Sequence, residues 1–122
     1  MFGRRIKGIA LAGLLVTGLL AVPTTPAAAS SGKCSASQNA CEWVQNSSYD
    51  RRYILYVDVY DPHTSDVHTL RLLENGYVIF SWTGPAYPGV EFQLDEDLPT
   101  GTCLQGGVVG LDDARTPCWY VP

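Results

Sequence analysis

The chain has 122 residues, a formal net charge of −4, two histidines and four cysteines. This is enough for one small domain and too little for several. Its few, dispersed basic residues exclude the electrostatic footprint of a nucleic-acid or anionic-membrane binder.

The first 29 residues read as a cleaved secretory signal. Arg4, Arg5 and Lys7 form a basic start and residues 9–22 (IALAGLLVTGLLAV) an apolar run. Pro23, Pro26 and Ala27-Ala28-Ala29 then supply a small-residue cleavage site. The apolar run falls short of the about 20 residues a membrane span needs. The predicted mature chain, 30–122, is 93 residues long and keeps five basic residues against all twelve acids, a net of −7. The expected product is secreted, monomeric and free of the membrane.

Cys34, Cys41, Cys103 and Cys118 all fall in the mature part. An even count in a small exported chain reads as two disulfides that offset a small core. Of the three connectivities, the nearest-neighbour one, Cys34–Cys41 with Cys103–Cys118, is favoured. Zinc is the other use of four cysteines, but the CxxC knuckles of such sites are absent.

Residues 30–40 (SSGKCSASQNA) are small and polar, and are expected to form no element of their own. With residues 41–48 they make up an N-terminal segment, 30–48, tethered by the first disulfide. Residues 42–45 suggest a short strand, and Asn46-Ser47-Ser48 is formally a glycosylation sequon. The β domain is expected over 49–122. Its most β-prone run, 49–60 (YDRRYILYVDVY), should turn Tyr53, Leu55, Val57 and Val59 to the core and Ile54, Tyr56, Asp58 and Tyr60 outward.

Residues 67–82 (VHTLRLLENGYVIFSW) follow a polar turn and form the clearest hairpin, because Asn75-Gly76 suits the positive φ angles of a type I′ turn. That turn sets Glu74 against Tyr77, Leu73 against Val78, Leu72 against Ile79 and Arg71 against Phe80. Strands 52–60, 67–74 and 77–82 are then expected to form a three-stranded meander. Residues 83–89 (TGPAYPG) read as a loop, and 90–94 (VEFQL) as a half-buried strand. Gly106-Gly107 predicts a bulge or kink in the next strand, and residues 118–121 a closing strand. The fold class is all-β: a small antiparallel β-sandwich or barrel of six to seven short strands, stapled by two disulfides.

Motifs for the common chemistries (G-x-S-x-G, H-E-x-x-H, a phosphate-binding loop) are missing. Asp61, His63, Asp66 and His68 crowd one turn with ligand-type side chains, but their spacing matches no standard metal site. Asp95-Glu96-Asp97 lacks the spacing of a calcium loop. No catalytic residue, metal or cofactor is therefore assigned.

The candidate binding residues are Trp82, Pro85 and Tyr87, which put aromatic surface on a segment stiffened by two prolines. Such a segment loses little entropy on binding. Tyr56 and Tyr60 on the outward side of the long strand extend that surface. The plan resembles that of small exported bacterial enzyme inhibitors such as the tendamistat-like α-amylase inhibitors. Their inhibitory Trp-Arg-Tyr is absent here: Trp43, Trp82 and Trp119 are followed by Val44, Thr83 and Tyr120. The resemblance is one of architecture and carries over no site residue. The expected function is binding, including inhibition, of an extracellular protein or polysaccharide. The alternatives are an exported surface or structural protein without a discrete ligand, and a small secreted hydrolase.

Overall fold

The computed structural model describes residues 5–7, 30–110 and 114–122. The predicted leader thus lies outside the described residues except for β1 (Arg5–Lys7). Nine further strands follow: β2 (Ser30–Cys34), β3 (Cys41–Asn46), β4 (Tyr53–Tyr60), β5 (Val67–Glu74), β6 (Tyr77–Pro85), β7 (Val90–Asp97), β8 (Cys103–Val109), β9 (Ala114–Arg115) and β10 (Trp119–Tyr120). Seven of them, β2 to β8, have five or more residues. No helix occurs among the described residues.

The strands form two antiparallel sheets, ordered β1-β7-β4-β3-β2 and β10-β8-β5-β6, with β9 added to β8. The fold is a sandwich. Both favoured disulfides are present, Cys34–Cys41 and Cys103–Cys118. They are typical of extracellular proteins, where oxidised pairs persist. The first ties β2 to β3 and the second ties β8 to the chain just before β10.

The core lies between the sheets. One sheet contributes Val44, Ile54, Val57, Val59, Val90, Phe92 and Leu94; the other contributes Leu70, Leu72, Leu104, Val108 and Trp119. Phe80 and Phe92 stack across the gap with ring centroids 5.6 Å apart. Each fully buried side chain of this size contributes about 1.5–3 kcal/mol.

Several sequence expectations are corrected by this arrangement. The meander does not form, because β4 pairs with β3 and β7 while β5 pairs with β6 and β8. With both edges of β4 taken, residues 61–66 cross between sheets. They are fastened at Asp61, whose N–H donates to Ala86 O (2.9 Å), and at Asp66, whose carbonyl accepts from Ala86 N–H (2.8 Å). Residues 30–34, expected to be structureless, form an edge strand on β3. The loop expected at 83–89 is shorter, since β6 runs to Pro85 and pairs it with Val67.

Bulges account for the register errors. Glu74–Tyr77 and Leu73–Val78 pair as expected, but Leu72 meets Phe80 and Arg71 meets Ser81 because Ile79 is an extra residue. One inserted residue exchanges the faces beyond it. Phe80 and Trp82 therefore join Leu70 and Leu72 on the core side. Leu55 is likewise extra between the pairs Ile54–Asn46 and Tyr56–Gln45, so Ile54 takes the core place expected for Leu55. Gly106-Gly107 makes no bulge, and the β5–β8 register runs unbroken from Thr69–Val109 to Glu74–Leu104. A Cβ at Gly106 would stand 3.1 Å from Val59 Cγ1 and 3.2 Å from Glu42 Cβ. Glycine is there to let the sheets approach.

Candidate binding face

Opposed residues of antiparallel strands project to the same face. The outer face of the β4 sheet can therefore be read as rows. One row runs from Gly32 through Trp43, Asp58 and Glu91 to Lys7, and the next from Ser30 through Gln45, Tyr56 and Gln93 to Arg5. Tyr60, opposite Cys41, extends the face toward the β6–β7 loop. These residues alternate with the core positions Val57 and Val59 on the same strand, so the register that packs the core also builds the face.

The loop completes it. Tyr87, 37 % exposed, sets its ring edge-on to Tyr60 with centroids 6.2 Å apart. Gly89 makes this approach possible. Its φ is +89°, and a Cβ there would lie 2.2 Å from Val59 O. The Tyr87–Pro88 bond is cis. The loop is thus held against β4 by backbone fit, and it is tied to the 61–66 crossing through both polar groups of Ala86.

The electrostatics of the face centre on Asp58, which is 2 % exposed. Burial, reinforced by Glu91 directly across the strand pair, pushes its carboxyl up to about 8. Burial is also the main cause for the phenols: Tyr56 is pushed up to about 12 by burial and then by Asp58 and Glu91, and Tyr60 is raised by burial and then by Asp58 and Tyr87. Near neutral pH Asp58 is therefore a protonated acid, able to donate as well as accept. Asp58 Oδ1 and Gln93 Oε1 are buried acceptors without a hydrogen-bond partner. Buried polar atoms are rarely left so.

The predicted site residues divide. Tyr87 joins the face, together with Tyr56 and Tyr60. Pro85 is exposed at the end of β6. Trp82 turns toward the sandwich interior, where it packs against the core and lies over Gly84; a Cβ at that glycine would be 2.3 Å from the indole. Asp58, Glu91 and Trp43 were not singled out from the sequence. The available signal was an acid in the middle of a strand otherwise made of Tyr, Ile, Leu and Val.

The polar turn has a structural explanation. Asp61 Oδ1 accepts from His63 N–H (2.9 Å) and lies 3.6 Å from His63 Nδ1, while Thr64 Oγ1 accepts from Asp66 N–H (3.0 Å). Among the described residues no three His, Cys, Asp or Glu side chains gather as a metal site. The sequon asparagine, Asn46, is buried and donates its Nδ2 to Arg51 O (2.9 Å).

A second buried acid belongs to the core rather than to the face. Glu42 pairs with Val59 and points between the sheets, fully buried. Thr116 Oγ1 donates to its Oε2 (3.0 Å) and accepts from Gly106 N–H (2.9 Å). Burial nevertheless dominates and pushes the carboxyl up to about 8, against the lowering effects of the Thr116 bond and Lys33.

Compared with known proteins, the chain matches no family model, no curated sequence and no solved structure.

Proposed function

We propose that the protein is a secreted, monomeric binding domain whose outer β4 face and Tyr87 loop hold an extracellular polysaccharide. The observation that carries this reading is the Tyr60–Tyr87 contact, which joins the loop and the sheet face into one surface. Aromatic rings offer apolar faces to the C–H side of a sugar ring. The half-buried Glu91, Gln45 and Gln93 carry carboxylate and amide groups for the directional bonds that sugar hydroxyls require.

The test is co-sedimentation of the disulfide-bonded protein with insoluble cellulose, chitin and starch. Wild type should be retained by at least one of them. The Tyr60→Ala and Tyr87→Ala variants should bind about tenfold more weakly, a loss of about 1.4 kcal/mol, while unfolding midpoints stay close to wild type for Tyr87→Ala. Full retention by both variants would refute the surface. Capture of a secreted protein in place of every polymer would move the reading to an inhibitor.

One observation favours a second reading, a small hydrolase. Asp58 and Glu91 stand directly opposite each other on the same face, and one of them is held protonated near neutral pH. Opposed residues have Cβ atoms about 4.5–5.5 Å apart, and two carboxyls pushed apart in proton affinity are the usual equipment for glycoside cleavage. Release of reducing ends from a bound polymer, abolished by Asp58→Asn, would support it. Binding without turnover would leave the binding reading alone.

A further inference from the structure

The opposite outer face, on the β5–β8 sheet, carries a different chemistry. Arg71 of β5 is opposed to Gly107 of β8, which is opposed in turn to Arg115 of β9. Three residues in one row project to one side, and the middle one has no side chain. Neighbouring strands are about 4.8 Å apart, so the two arginine backbones flank the glycine at about 10 Å. Both side chains rise from this face on either side of Gly107, where Leu73 Cδ1 comes within 3.3 Å of the position a Cβ would take. Both arginines line a small pocket of about 80 Å³, walled also by Leu73, Val78 and Ala114.

Arg71 is half-buried and Arg115 exposed on this face. Arg71 Nε is buried and has no hydrogen-bond partner. An unfilled donor on a fixed charge is costly unless an acceptor meets it. A chain of net charge −4 repels anions at long range, so any anion held here is held by contact rather than by the overall field.

We infer that the Arg71–Gly107–Arg115 row is an anion site that takes a single oxyanion group: a carboxylate, sulfate or phosphate. The fork of a guanidinium matches two oxygens of such a group, and two forks on opposite sides fix its orientation. Leu73, Val78 and Ala114 wall the group beside the two arginines. The pocket volume suits one such group and no larger ligand. This site stands on the face opposite the polysaccharide surface proposed above and does not depend on it.

The experiment is a nuclear magnetic resonance titration of the isotope-labelled, disulfide-bonded protein with sulfate, inorganic phosphate and acetate. Ionic strength is held constant with chloride. At least one anion should move the Arg71 Nε–Hε and Gly107 amide resonances along a saturating curve, and the three arms identify the preferred group. Arg71→Gln and Arg115→Gln should each weaken binding by about tenfold, whereas Arg51→Gln, remote in the 50–53 turn, should leave it unchanged. If Arg71→Gln fails to fold, Arg115→Gln tests the same row from an exposed side chain. Non-saturating shifts, or curves unaltered in Arg115→Gln, would overturn the site as general charge screening.

Discussion

Glu42 offers the sharpest test of how the interior is built. Its carboxyl is fully buried and raised from 4.5 to about 8, burial being the main cause. The native state therefore keeps this proton over a range where the unfolded chain has lost it. Stability is fully present below pH 4.5 and falls as pH rises toward 8. Each pH unit in that window removes about 1.4 kcal/mol, giving a loss on the order of 5 kcal/mol across it. That is comparable with the whole stability of a small domain, roughly 5–15 kcal/mol. Glu42→Gln keeps an oxygen to accept from Thr116 and removes the titration. The variant should match wild type to within about 1 kcal/mol in acid, the value of one ordinary hydrogen bond. Near pH 8 it should be more stable by several kcal/mol. Urea unfolding across this pH range, with disulfides intact, measures both. Asp58 contributes a slope of the same sign to both proteins, so the informative quantity is their difference. Free-energy profiles that run parallel would refute the buried, protonated Glu42.

Two further outcomes follow from the backbone and the staples. Gly89→Ala places a Cβ 2.2 Å from Val59 O at a φ of +89°; thermal unfolding should show a loss on the order of 2–3 kcal/mol or more, and polysaccharide retention should fall with it as the Tyr87 loop lifts from β4. Removing Cys103–Cys118, which spans 15 residues, should cost about 3 kcal/mol in denaturant unfolding. Removing Cys34–Cys41, which spans 7, should cost less, and the opposite order would show that chain entropy is not what these bridges supply.

The strands that alternate cleanly were legible. In residues 90–94, Val90, Phe92 and Leu94 are buried as their spacing requires. The Asn75-Gly76 turn also fell where its chemistry put it, with φ of 52° and 85°. Legibility stopped at Leu55 and Ile79. A bulged Leu or Ile looks like any other strand residue, and one insertion exchanges every side chain beyond it. The meander fails for a different reason: nothing local in residues 61–66 distinguishes a turn within a sheet from a crossing between sheets. That choice is made by partners distant in sequence, such as Ala86 and the strands already occupying both edges of β4. The site was half legible on the same grounds. Tyr56, Tyr60 and Tyr87 announced themselves as aromatics, whereas the Asp58–Glu91 and Arg71–Arg115 relations exist only through register.

The two outer faces show why net charge alone says little about partners in a molecule this small. Asp58 and Glu91 lie in one row of the β4 sheet, with the former held neutral by burial, and Glu42 is enclosed in the core. The two arginines of the β5–β8 sheet stand on the far side of that core, separated from these carboxylates by the thickness of the sandwich, about 10 Å between sheets. Interior packing is what keeps the two chemistries apart. Leu70, Leu72, Val57 and Phe92 fill the space between the faces, and each strand alternates a core residue with a surface one. The period-two alternation that buries the core therefore also places Tyr56, Asp58 and Tyr60 on one outer face and Arg71 on the other. An exchange of register in either sheet would undo the fold and both faces together.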